Sequence, residues 1–388
     1  MAWSVVFRMP RAAGVLTLCL GLATLAWAGL PSKVAAQTAV ARVGMIEERL
    51  AIPIELDGLF GKKVYNLSAY IARPANPAPA PFAILNHGKP PGAHEVAAMR
   101  ADGMAFHARE FARRGFVAVA FLRRGFGISE GESAIRSDGC KGVNRHAEGL
   151  EAAKDVMAVL DWTKRLAYVD PARGVIVGQS HGGFATVATS SLNPPGVVAM
   201  INFAGGIGSR DRPCGEAGLI EAAERYGKTA KLPTLWVYTE NDRLFGPVLS
   251  SAMHRAYSGM GGNAEYKLMP PFRDDGHYLF SMNGGETWIP LIDAFLRRVG
   301  LPTWDPDVEK DVAARMPNDA ARASLARYLK VPGEKAFAYS TDGRTGWQWE
   351  SERSTEEVKA KALASCNAKP GGTAPCSVAL VNYELQAQ

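Results

Sequence analysis

The chain has 388 residues, 47% of them hydrophobic and 21% charged, which is enough apolar material for a large core and excludes disorder as its main state. The formal charge of +6 falls to +3 once residues 1–36 are set aside, because Arg8, Arg11 and Lys33 lie there without an acid. A balance so near neutral, with no Lys/Arg run interleaved with aromatics, argues against a nucleic-acid partner.

The first segment in chain order is a leader. Arg8 and Arg11 precede the apolar run Ala12–Leu30, and small residues at Ala26, Ala28, Ala35 and Ala36 suit signal-peptidase cleavage. Residues 1–36 are therefore read as a secretory signal peptide, which makes the mature protein periplasmic or secreted. The run sits near the lower length limit for a bilayer span, and no later segment is long and apolar enough for one.

Beyond the leader, short apolar strands alternate with helix-like stretches. Val64–Ala72 reads as an early strand and the Pro/Ala segment Pro74–Pro81 as an extended lead-in. Phe82–Asn86, Val117–Phe121, Val175–Val177, Val197–Phe203 and Thr234–Tyr238 are short and β-rich, as buried parallel strands are. Between them Met104–Arg114 and His146–Leu166 place their apolar residues at helical spacing, and Glu286–Val299 reads as the last helix. This alternation predicts an α/β fold, a mainly parallel sheet covered by helices on both faces, over residues 45–300.

At Gly300-Leu301-Pro302 the character changes. Residues 301–332 read as a charged, proline-interrupted, partly helical connector. Residues 333–388 read as a separate small α+β module: a hairpin from Lys335 past Trp349, a helix Glu356–Ser365 and a closing strand Val378–Tyr383. Cys19 would leave with the leader, and Cys140, Cys214, Cys366 and Cys376 remain, an even number that suits two disulfides in an exported protein. Four cysteines allow three connectivities. The expected pairs are Cys366 with Cys376, across the helix-to-strand turn of the tail, and Cys140 with Cys214, on loops that follow two strands. No Cys-x-x-Cys or paired His accompanies them, so they do not form a zinc site.

The segment GVIVGQSHGG, Gly174–Gly183, carries the chemistry. A Gly-x-Ser-x-Gly turn directly after a strand holds Ser180 on a strained strand-to-helix bend, with Gly178 and Gly182 avoiding clashes. A serine nucleophile needs a base, the base an orienting acid, and the developing oxyanion its donors. Asp242 lies on the loop after the strand Thr234–Tyr238, and His277 on a loop before the last helix. The chain order Ser180, Asp242, His277 is that of α/β-hydrolases. Asp274 and Asp275 stand closer to His277 in sequence, but a carboxylate two or three residues away on one tight loop has difficulty lying in line behind the imidazole. Asn86-His87-Gly88-Lys89 follows the strand Phe82–Asn86, where that fold supplies a second oxyanion donor.

Residues from about 50 to 300 resemble the dienelactone hydrolase and prolyl oligopeptidase-like branch of the α/β-hydrolase superfamily, through NHGKPPG, FLRRGFGISEG, Val169-Asp170-Pro171 before GVIVGQSHGG, and DGH. Dienelactone hydrolases carry cysteine where Ser180 stands, and the chain has no room for a propeller, so the resemblance implies fold and triad rather than substrate. It implies Ser180 as nucleophile, His277 as general base and acid, Asp242 as the orienting acid, and the backbone N–H groups of His181 and Lys89 as the oxyanion hole. His87 is read as bracing its loop, and His181 as a residue of the pocket rim. Arg123 and Arg124 are read as structural ion-pair formers with a nearby acid ahead of contacts to an acidic substrate group.

The sequence thus predicts a secreted serine hydrolase that cleaves a small-molecule carboxylic ester through an acyl-enzyme, without cofactor or metal. A peptidase of the same fold and a noncatalytic exported binding protein on a hydrolase scaffold are the alternatives. Acyl and alcohol specificity and oligomeric state stay open.

Overall fold

The computed structural model describes Met1 and residues 38–42, 45–58, 61–75, 78–134, 144–208, 215–303, 306–350 and 354–386. The leader and the Cys140–Cys214 pair lie outside the described residues. In chain order the main sheet contributes β1 (Thr38–Arg42), β2 (Met45–Gly58), β3 (Gly61–Pro74), β4 (Ala80–Asn86), β5 (Val117–Phe121), β6 (Val169–Gln179), β7 (Val197–Phe203), β8 (Thr234–Thr239) and β9 (Ala264–Met269). The helices around it are α1 (Ala93–Ala97), α2 (Ala105–Arg113), α3 (Arg145–Thr163), α4 (His181–Ser190), α5 (Glu216–Gly227), α6 (Pro247–Gly259) and α7 (Gly285–Arg298).

The strand order is β1-β2-β3-β5-β4-β6-β7-β8-β9. β5, β4, β6, β7, β8 and β9 are parallel, and β1, β2 and β3 extend the sheet antiparallel from the β5 edge. Every residue of β5 is buried, as expected of a strand covered on both faces. β2, by contrast, buries Ile52 and Ile54 and exposes Ala51, Pro53 and Glu55 between them, the alternation of a sheet with one wet face. One core layer packs α2 and α7 residues such as Phe111, Trp288 and Phe295 on the sheet. The other face is covered by Val156 and Leu160 of α3 and by Phe184, Tyr226 and Tyr257 of α4, α5 and α6. Parallel order reverses direction at β4, whose neighbours are β5 on one side and β6 on the other. The crevice beyond the carboxyl ends of β4 and β6 is where such sheets bind ligands.

The tail folds around a second sheet of order β11-β10-β12-β13, built from β10 (Glu334–Tyr339), β11 (Thr345–Glu350), β12 (Ser377–Val381) and β13 (Glu384–Leu385), all antiparallel. α8 (Pro306–Arg315) and α9 (Asp319–Lys330) place Val312, Leu325 and Tyr328 on one face of it, with Met316 between the two helices. α10 (Thr355–Asn367) covers the other with Val358, Ala362 and Cys366, beginning at a capping box between Ser354 and Glu357. The segment read as a connector therefore supplies the side chains that cover one face of the tail's sheet. A disulfide joins Cys366 to Cys376 across the turn from α10 to β12. Lys335, buried, donates from Nζ to the carbonyls of Tyr328, Leu329 and Val331, capping the end of α9.

A buried charge network ties this tail to the main sheet's helices. Glu110 of α2 accepts from Arg113 at 2.8 Å, from Arg114 at 3.1 Å and from the Gly333 N–H at 3.0 Å. Arg113 also reaches Glu334 at 2.9 Å, and Arg114 forks onto Asp293 of α7. Burial alone would raise the Glu110 pKa, but Arg113 and Arg114 overcome it and hold the carboxyl below its usual value. Glu110→Ala takes one carboxylate from Arg113 and Arg114, which keep Glu334 and Asp293, and leaves the Gly333 N–H without this acceptor; it should cost about 1–3 kcal/mol of stability. Urea unfolding checks this, the tail and the main domain being expected to lose stability together.

Candidate active site

Ser180 stands between β6 and α4 with φ 55° and ψ −121°, a left-handed conformation for a residue with a side chain. Such a geometry costs on the order of 1–3 kcal/mol and persists only where its surroundings enforce it. Here the Ser180 N–H donates to Phe203 O at 2.9 Å, and Ser180 O accepts from Phe184 N and Gly206 N. The flanking glycines are required by contact: a Cβ on Gly178 would lie 2.1 Å from Gly182 O, and one on Gly182 would lie 2.0 Å from Asn86 O. The turn opens onto a cavity of about 520 Å³ that Ser180 and His277 both line.

The second part comes from the next strand ends. His277 Nδ1 lies 3.1 Å from Asp242 Oδ2, and both side chains are buried. The other oxygen of Asp242 accepts from the N–H groups of Leu244 and Phe245 at 2.8 and 2.9 Å, which fixes the carboxylate against rotation. Asp275 does something else. Its Oδ1 accepts from the main-chain N–H of His277 at 3.1 Å and of Arg243 at 3.2 Å, so it caps the short turn. An imidazole held on Nδ1 by a carboxylate presents Nε2 to the cavity side of the ring, the state in which it can accept and return a hydroxyl proton.

The loop after β4 completes the cavity. A Cβ on Gly88 would lie 3.2 Å from Ser180 Cβ, so the His87-Gly88-Lys89 backbone passes directly against the serine. His181 opens α4, where first-turn N–H groups lack partners within the helix and the macrodipole is positive. The five residues singled out from the sequence, Ser180, Asp242, His277, His181 and Lys89, are thus brought together; all but Asp242, which stands behind His277, line the cavity. His87 braces the loop, bonding Gly88 O and the Arg123 N–H, and burial together with the Arg123 charge drives its pKa well below the usual value. Burial likewise, with Arg123 and Lys89 adding to it, keeps His181 neutral.

The expectation for the two arginines holds for one of them. Arg124 pairs with Asp155 and Glu151. Arg123 instead turns its guanidinium to the Asn86 side chain and His87 O, because the nearby acid Asp155 is already bonded by both the backbone and the side chain of Arg124. Two further residues escape sequence reasoning. Gln179 donates to His277 O at 3.1 Å, and Asn241 clamps the His277 loop through Phe272 N and the carbonyls of Phe272 and Arg273. Gln179 stands inside the serine motif and Asn241 next to Asp242, so adjacency is the only sequence signal either offers. Among the described residues no group of three or more His, Cys, Asp or Glu is placed to hold a metal, and no helix is long and apolar enough to cross a membrane.

Comparison with known proteins gives the chain's relatives. The chain is 28% identical to the quorum-quenching protein AidA of Acinetobacter baumannii over 136 residues, which are 35% of this chain and 39% of that protein. It thus spans well under half the length of that relative. Among solved structures it is similar to an esterase from Pyrococcus furiosus, at 15% identity and TM-score 0.45 over 64% of this chain and 91% of that one. It is similar also to an acetyl xylan esterase from Paenibacillus sp. R4, at 15% identity and TM-score 0.45 over 68% and 89%. Residues 63–256, half of the chain, match the family of X-Pro dipeptidyl-peptidases (S15 family). Since that stretch, from β3 to α6, is half of the chain, the chain belongs to the S15 family, within the α/β-hydrolase superfamily.

Proposed function

We propose that the protein is an exported esterase that cleaves a carboxylic ester through an acyl-enzyme on Ser180. The observation that carries this reading is the Asp242–His277 hydrogen bond standing behind a strained serine in one shared cavity. Ser180 Oγ attacks the carbonyl carbon while His277 takes its proton. Asp242 holds the Nδ1–H tautomer and stabilises the imidazolium, and the N–H groups of His181 and Lys89 receive the oxyanion. His277 then protonates the departing alcohol, and water repeats the sequence on the acyl-enzyme to release the acid.

The cavity wall favours an ester over a peptide. Pro90, Pro91, Met99 and Leu244 give it an apolar side, and Lys89 and Tyr278 a polar one. Among the described residues the lining holds no carboxylate. The family match keeps peptide cleavage as the second reading. A noncatalytic binding role would leave the strain at Ser180 without a use. Export rests on the leader sequence, and the Cys366–Cys376 bond suits an oxidising compartment. Kinetics on short activated esters and X-Pro arylamides separate the readings: ester kcat/KM should exceed that for the amides by at least about 10², since amides present a poorer leaving group. Preferential release of X-Pro dipeptides would transfer the chain to the peptidase reading.

A further inference from the structure

The hydrogen bonds around His87 run in one direction. The main-chain N–H of Arg123, in the turn after β5, donates to His87 Nε2 at 3.0 Å. A ring nitrogen that accepts carries no proton, so the proton of the neutral imidazole sits on Nδ1, which donates to Gly88 O at 2.6 Å. The Gly88 carbonyl and the Lys89 N–H belong to the same planar peptide, so holding one sets the direction of the other. A carbonyl that accepts strongly also makes its own amide a better donor.

Arg123 closes this arrangement from within the core. Its guanidinium, buried at 2% residue exposure, donates from Nη1 to His87 O at 2.7 Å and to the Asn86 side-chain oxygen, while Asn86 Nδ2 donates to Gly182 O at 3.1 Å. The loop after β4 is thereby tied to the first turn of α4. Phe126 packs its ring 4.6 Å from His87 and 5.1 Å from the Arg123 guanidinium carbon, confining both. Arg123 Nη2 is buried without a hydrogen-bond partner among the described residues, an expense that stability alone does not explain at a site an apolar side chain could fill.

We propose that His87 and Arg123 are positioning residues of the oxyanion loop: together they lock the Gly88–Lys89 peptide plane so that the Lys89 N–H is aimed before charge develops on the substrate. This rests on Lys89 N–H as an oxyanion donor in the reading above. Donors fixed in advance act on the transition state far more than on the bound ester, so their loss lowers kcat and leaves KM nearly unchanged.

His87→Phe and Arg123→Lys, made in the full chain and assayed on a short activated ester, should each lower kcat by about 10²-fold with KM within about threefold. Affinity for an alkylboronic acid, which forms a tetrahedral adduct on Ser180, should fall by a similar factor, and the acidic limb of the kcat/KM–pH profile should stay in place. A folded His87→Phe protein with kcat within about threefold of wild type, or with the loss confined to KM, overturns the proposal. Should both variants fail to fold, long-range ¹⁵N spectra of the wild-type imidazoles decide: His87 protonated on Nδ1 alone supports it, and protonation on Nε2 overturns it. If the wild type shows no Ser180-dependent turnover, it is the esterase reading that fails, and the spectra still test the tautomer lock separately.

Discussion

Ser180→Ala should retain the fold and lose about 10⁶-fold in kcat, the scale on which removal of the nucleophile acts in serine hydrolases whose triad works as a unit. The structure gives two reasons to expect an intact protein. Ser180 contributes its backbone to the turn through Phe203, Phe184 and Gly206, and those bonds survive the substitution. Alanine also adds no volume where Gly88 passes close to Ser180 Cβ. Its φ of 55° is no better tolerated by alanine than by serine, so the change in stability should stay within about 1 kcal/mol. Thermal unfolding measured beside ester turnover checks both halves. A variant that kept measurable wild-type-like turnover would place the nucleophile elsewhere.

The second large effect separates two neighbouring carboxylates. Asp242→Asn should fold normally and lower kcat by about 10⁴, because an amide facing His277 Nδ1 can donate there and favours the wrong tautomer. The amide oxygen can still accept from Leu244 and Phe245, which preserves the loop. Asp275→Asn should cost far less than Asp242→Asn, since Asp275 Oδ1 accepts from the main-chain N–H groups of Arg243 and His277 and an amide oxygen can take both over. Steady-state kinetics of the two variants on one ester decides the assignment. Loss of turnover in Asp275→Asn with Asp242→Asn active would reverse it.

The parts of the fold that were legible are those in which burial writes itself into every residue. β5 and β7 coincide with the apolar runs Val117–Phe121 and Val197–Phe203, because strands covered on both faces have no polar positions to blur their ends. The strands that went unread, β1, β2 and β9, are at the sheet's edges or have a wet face, and MIEERLAIPIELDG or AEYKLM mixes charge into the pattern accordingly. In the tail, prolines at 302, 306 and 317 make residues 301–332 read as a partly helical connector, although Val312 and Leu325 are core residues. At the site, residue types and order pointed to Ser180, Asp242 and His277. The amide clamps from Gln179 and Asn241 and the path taken by Arg123 depend on which partner another residue has already occupied, and that is a fact of three dimensions.

The most direct test of the account is covalent. A fluorophosphonate probe applied to the protein, followed by peptide mapping, should place one adduct on Ser180 in the segment Gly174–Gly183, with none in Ser180→Ala. Folded protein that stays unlabelled, or that carries the adduct on another serine, would contradict the assignment of Ser180 as the nucleophile.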